Sequence, residues 1–156
     1  MALANYKNKV RVRVGGLLVK KEAVLLVQLK SPLTNQLVWM LPGGGLEFGE
    51  SMKTALQREF KEETGLKIST EALFAVDEVR HASFHAVECY FKVHQTGGRL
   101  RLGSDPEHTK DDQIIKDVQW IPLDQLEKKK IAPKELKYWV EDLPHSDLHF
   151  YSQMIN

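Results

Sequence analysis

The stretch GGGLEFGESMKTALQREFKEETGL, Gly43 to Leu66, constrains this chain more than any other part of it. Three glycines open it, a segment with helical spacing follows from about Ser51 to Thr64, and Gly65 is a stop signal. At about 100° per residue, with Met52 at zero, Ala55, Leu56 and Phe60 span about −60° to 80° as an apolar stripe. Glu59 and Glu63 fall inside that stripe, at about −20° and 20°, with Glu62 and Arg58 on its flank. Lys53, Thr54, Gln57, Lys61 and Thr64 are expected on the water side.

A helix that turns its acids inward and its lysines outward is not an ordinary solvated face. Like charges three and four residues apart cost about 0.2–0.5 kcal/mol per pair. Buried carboxylates need pairing or a cation, and Arg58 is expected to neutralise only one of the three. A divalent cation resolves the remainder, and clustered hard oxygen ligands suit Mg²⁺ or Mn²⁺ beside substrate phosphates. The glycines fit the same picture, because Gly43, Gly44 and Gly45 let backbone approach a metal or phosphate closely.

The rest of the composition narrows the partners. With 156 residues, 42% hydrophobic and 28% charged, the chain suits one soluble globular domain, 1–156. A net charge of +1 argues against a dedicated nucleic-acid binder. The N-terminal MALANYKNKVRV lacks an apolar signal core, and no apolar run approaches the roughly 18 residues of a membrane span. The single Cys89 cannot form an internal disulfide, so a reducing, cytoplasmic setting is expected.

Alternation in VRVRVGGLLV (10–19) predicts a strand with Val10, Val12 and Val14 on one face. EAVLLVQL (22–29) reads as a more buried strand after a hairpin turn at the KK pair, and LVWML (37–41) as a short third. Strand-like runs return at 72–79 and 84–93, TGG (96–98) reads as a turn, and KDVQWIPL (116–123) is a last strand. Helical stretches are expected around 123–129 and 133–142. The pattern is a mixed sheet with helices packed on it, α/β or α+β, in one layered domain.

Gly44, Glu50, Arg58-Glu59-Phe60, Glu62-Glu63 and Gly65-Leu66 together resemble the Nudix box, G-x5-E-x7-R-E-U-x-E-E-x-G-U, with U a bulky apolar residue; every fixed position is filled. The preceding LPGG and the later VQWIPLDQL are similar to common surroundings of that box. The resemblance implies an α/β/α sandwich around a mixed sheet. It also implies metal-dependent hydrolysis of a nucleoside diphosphate linked to another moiety (a nucleotide sugar, an ADP-ribose-like compound or a nucleoside triphosphate), with a small-molecule nucleotide as partner. By position it implies Glu59, Glu62 and Glu63 as metal ligands with the Gly43 carbonyl, Arg58 orienting the acids, and Glu50 supporting the helix start. Glu63, Glu62 or a later acid, with Glu107, Asp111 and Asp112 as candidates, would take the proton of the attacking water.

Substrate signatures of the family are mostly absent. His81 stands where ADP-ribose hydrolases carry a proline, and Ser83 or Phe84 where dinucleoside-polyphosphate hydrolases carry a tyrosine. Trp39, Arg80 and Phe84, with Gly44 and Gly45, are candidates for substrate contact, Trp39 by stacking on a base. Arg11 and Arg13 are expected on an exposed strand face, Cys89 in the core, and KKK (128–130) at a solvated helix end. The C-terminal HSDLHFYSQMIN suits packing on the domain or, in a homodimer, on a second subunit. A catalytically silent nucleotide-binding or regulatory domain is the alternative function, and the retained glutamates speak against it.

Overall fold

The computed structural model describes residues 7–31, 33–103, 115–141 and 147–155. Five strands, in the order β5-β1-β7-β6-β9, form the larger sheet: β1 is Lys9–Leu17, β5 Gly43–Gly45, β6 Leu66–His81, β7 Phe84–Gly98 and β9 His149–Met154. β1 runs parallel to β7 and β9 parallel to β6, while β5 and the β6–β7 hairpin pair antiparallel. A second sheet is centred on β3 (Ala23–Lys30), with β2 (Val19–Lys20) and β4 (Leu37–Met40) on one edge and β8 (Ile115–Pro122) on the other. The β2–β3 connection turns at Lys21 and Glu22, both at positive φ (49° and 58°), as a tight hairpin demands.

The stretch from Gly43 to Leu66 folds as its spacing dictates. Helix α1 runs Met52–Thr64; Ser51 caps its start by accepting the Thr54 N–H at 3.1 Å, and Gly65 ends it at φ 75°. Its apolar side, Ala55, Leu56 and Phe60, packs on one face of the large sheet against Val14, Cys89 and Phe91. On the opposite face a second cluster gathers Tyr90, Ala75, Trp39, Leu41 and Trp139, the last carried by α2 (Leu136–Glu141). One helix on each side of a mixed sheet is the α/β/α arrangement expected.

The structure departs from the sequence expectations at several points. β6 starts at Leu66, directly after the helix cap, and β7 continues through Gly98, so TGG lies inside a strand. Register shifts at Lys67/Ile68, Thr70/Leu73 and Leu73/Ala75 interrupt the alternation that would have marked ISTEAL as strand. Thr64 is fully buried instead of water-facing, because its hydroxyl donates back to the Phe60 carbonyl at 2.6 Å and so satisfies itself inside the fold. The stretch around 123–129 is a 3-10 helix, Leu123–Lys128, and the later helix is shorter than 133–142. The C-terminal segment packs on the domain itself as β9, hydrogen-bonded beside β6.

Candidate active site

Position along β5 decides which groups face the acids. The Gly16 N–H donates to the Pro42 carbonyl at 3.0 Å and the Leu46 N–H to the Val12 carbonyl at 2.9 Å. In an antiparallel pair the residues between such bonds turn their own N–H and C=O outward. Gly43 and Gly45 are those residues, and β5 is the edge of its sheet. The Gly43 N–H accordingly donates to Glu63 Oε2 at 2.9 Å, and the Gly45 carbonyl accepts Arg58 Nη2 at 3.1 Å. The Gly43 carbonyl shares that outward edge. Gly44 points its missing side chain at the helix: a Cβ there would lie 2.4 Å from the Glu59 carboxyl. The glycine strand therefore lets the acid-bearing helix seat directly on backbone.

Arg58 organises the acids. Its Nη2 and Nε bind Glu50 at 2.7 and 3.2 Å, and its Nη1 binds Glu59 Oε1 at 2.8 Å and reaches Glu62 Oε2 at 3.5 Å. Arg58 still carries a single charge, as expected, but its guanidinium offers five N–H donors in a planar fork and so binds three acids at once. The bonds to Glu50, then those to Glu59, raise the Arg58 pKa further, so it is a fixed cation. Glu50 is in turn held below the usual carboxylate range, first by Arg58 and then by the Glu47 N–H at 2.9 Å. Glu50 thus closes the loop between β5 and α1 while anchoring the arginine.

The donor set fits a hard divalent cation in kind: three carboxylates and one carbonyl, all oxygen, beside a strand edge without side chains. A carboxylate has about four lone-pair positions, so the bonds from Arg58 and Gly43 use only part of each group. Among the described residues no three acids are already closed around one point. Glu63 is nearly buried, at 7% exposure, whereas the side chains of Glu59 and Glu62 are 15% and 27% exposed.

Other candidates lie elsewhere. Trp39 is only 6% exposed and packs in the core near Leu41 and Trp139, with Lys129 over its ring at 5.7 Å; a covered ring of this kind cannot stack on a base. Arg80 is exposed and Phe84 half-buried at the tip of the β6–β7 hairpin. Phe84 precedes Glu88, the residue level with Gly45 across β1, by four positions, or about 13 Å of strand. Glu107, Asp111 and Asp112 lie outside the described residues.

The sequence reading missed a polar row beside the glycine strand. Gly45, Arg13, Glu88 and Asp77 are register partners across β5, β1, β7 and β6 and share the face away from α1. Arg13 Nη1 binds Glu88 Oε1 at 2.7 Å, and the Tyr90 hydroxyl donates to Glu88 Oε2. Burial, and then the charge of Glu88, pushes the Tyr90 phenol well above its ordinary value. Arg11 lies across Gly45, where a Cβ would be 2.7 Å from its guanidinium. These arginines are half-buried, which corrects the exposed-face expectation; the available signal was Glu88 and Tyr90 alternating with Val87 and Cys89.

The fold and site have known counterparts. The family model described as NUDIX domain matches residues 9–143. An ADP-ribose pyrophosphatase of Methanocaldococcus jannaschii is 35% identical over 97 residues, 60% of this chain and 56% of that protein. The human 8-oxo-dGDP phosphatase NUDT18 is 37% identical over 101 residues, 65% of this chain and 30% of that protein. These matches span about half and under a third of the relatives' own lengths. A crystal structure of a UDP-X diphosphatase superposes with a TM-score of 0.68 at 25% identity, covering 91% of this chain and 67% of that one. With its box intact, its acids gathered on the glycine strand and its family model matched across most of its length, the chain belongs to the Nudix family.

Proposed function

We propose that this protein is a divalent-metal-dependent pyrophosphohydrolase that cleaves the phosphoanhydride of a nucleoside diphosphate derivative by attack of water on phosphorus. One observation carries the reading: Arg58 draws Glu50, Glu59 and Glu62 together against the same strand edge where Glu63 meets Gly43. The substrate class follows from two relatives named for ADP-ribose and for 8-oxo-dGDP, both of which contain a nucleoside diphosphate.

Glu59, Glu62, Glu63 and the Gly43 carbonyl would hold Mg²⁺ or Mn²⁺. When bound, such an ion screens the charge building on the diphosphate and lowers the pKa of a coordinated water. Arg58 keeps the acids from recoiling from one another, so their geometry is set before substrate arrives. Glu62, the most exposed of the three, is the box residue best placed to accept the water's proton.

The test is hydrolysis of a panel of nucleoside diphosphate derivatives, ADP-ribose and 8-oxo-dGDP among them, with excess chelator and after restoring Mg²⁺. Activity should vanish and return. Turnover that persists in chelator with metal verified as negligible would overturn the mechanism, and a silent panel with intact metal binding would favour a nucleotide-binding domain.

A further inference from the structure

We propose that the segment Arg99–Gly103 is a strap that sets the geometry of Glu62 and Glu63 for metal, with Gly103 as its positioning residue. The inference rests on those acids being metal ligands. The last four carbonyls of any helix lack intrahelical partners and usually go to water or a glycine cap. In α1 the Gly65 N–H takes the Lys61 carbonyl at 3.1 Å, as a glycine cap does. The Glu63 and Thr64 carbonyls go further afield. Gly103 N–H donates to the Glu63 carbonyl and Arg101 N–H to the Thr64 carbonyl, each at 2.9 Å.

The strap reaches this place because Leu66, just past the helix, pairs with Gly98, the last residue of β7. The chain leaving β7 therefore emerges at the helix end. Contact there is closer than any side chain allows: a Cβ on Gly103 would lie 1.7 Å from the Glu62 carbonyl oxygen and 2.6 Å from the carbonyl carbons of Glu62 and Glu63. Arg101 also lays its side chain against Gly65, bringing a cation to the negative end of the helix. Glu63 is consequently held twice, by Gly103 on its backbone and by the Gly43 N–H on its carboxylate. The strap grips the backbone of the very residues whose side chains form the site. Mg²⁺ accepts only near-ideal octahedral geometry, so a small displacement of this last turn should be felt as lost metal affinity.

Gly103→Ala adds one methyl group against helix backbone, so strap or turn must move. Groups that orient metal ligands typically change metal affinity by about 10–100-fold when altered. The free Mn²⁺ signal in electron paramagnetic resonance should report Mn²⁺ dissociation at least about tenfold weaker for Gly103→Ala. Saturating metal should restore kcat to near the wild-type value, a rescue that general damage to the fold would not permit. Gly97→Ala is the control, since its Cβ would meet nothing nearer than Lys67 at 3.8 Å; it should bind Mn²⁺ as wild type does. If Gly103→Ala does not fold, Arg101→Pro, which deletes the N–H donated to Thr64 together with the cationic side chain against Gly65, should show the same direction. Unchanged Mn²⁺ affinity in the folded variant, or kcat that stays low at saturating metal, would overturn the strap. A wild-type protein that binds no Mn²⁺ would instead overturn the metal reading beneath it.

Discussion

Arg58 is a single side chain answering for four carboxylates, with Glu47 also 3.9 Å from its guanidinium. Exposed ion pairs are worth little, but this one is a bidentate fork set between loop and helix, and such geometry both orients and holds. Glu50 is its main partner and carries a testable pH signature. Its folded pKa is depressed, so its contribution is present above the ordinary carboxylate pKa of about 4.3 and is lost as pH falls through the lower folded value. Glu50→Gln should therefore lower the melting temperature by a constant amount between pH 6 and 8, and the gap to wild type should close as pH is taken below about 4. Melts across that range decide it; a gap that persists undiminished in acid would mean that Glu50 acts through packing or neutral hydrogen bonds.

At the scale of elements, β5 and α1 work as one unit, because a strand of glycines is thin enough for charged groups to lie directly against it. Gly44→Ala sharpens this. The added Cβ would meet the Glu59 carboxyl at 2.4 Å, yet that group ends a flexible side chain and can swing away. The fold should survive with about 1 kcal/mol lost, the centre of the range for single substitutions. Activity should fall by about 100-fold, the scale on which misplacing a catalytic group is felt. Chemical denaturation beside steady-state kinetics measures both; a large stability loss with proportionate activity loss would show that Gly44 serves the fold alone.

For the whole molecule, α1 and α2 sit on opposite faces of the large sheet in separate apolar clusters. Trp139 is the keystone of the face away from α1. It meets Phe74 edge-on at 5.3 Å and Tyr90 at 4.8 Å, and its indole N–H donates to the Tyr151 hydroxyl of β9 at 3.3 Å. Trp139→Ala should cost about 3–5 kcal/mol of unfolding free energy. Turnover per folded molecule should nevertheless stay within a few-fold, because α1 and β5 are not touched. Urea unfolding with activity normalised to the folded fraction would show this, and a collapse of kcat in folded protein would mean that the two faces are coupled.

The box helix was legible because everything that defines it is local: the spacing of Ala55, Leu56 and Phe60, the start near Ser51, the stop at Gly65, and glycines beside acids on the buried side. Periodicity reports which face of an element is covered, and that sufficed to bring Glu59, Glu63 and Gly43–Gly45 to one place. It does not report what covers it. Arg13 and Glu88 are 75 positions apart, and only the parallel register of β1 on β7 makes them partners. The length of β6 was hidden by register shifts that break alternation, and β9 by the fact that a parallel edge strand needs a neighbour already in place. Gly103 carried no local signal at all, since its role exists only where Leu66 meets Gly98 and turns the departing chain onto the helix end. Sequence by itself determined which acids, arginine and glycines meet, because residue types at fixed short spacings carry that. Tertiary structure alone decided how tightly that chemistry is held, because the hydrogen bonds that hold it join residues remote along the chain.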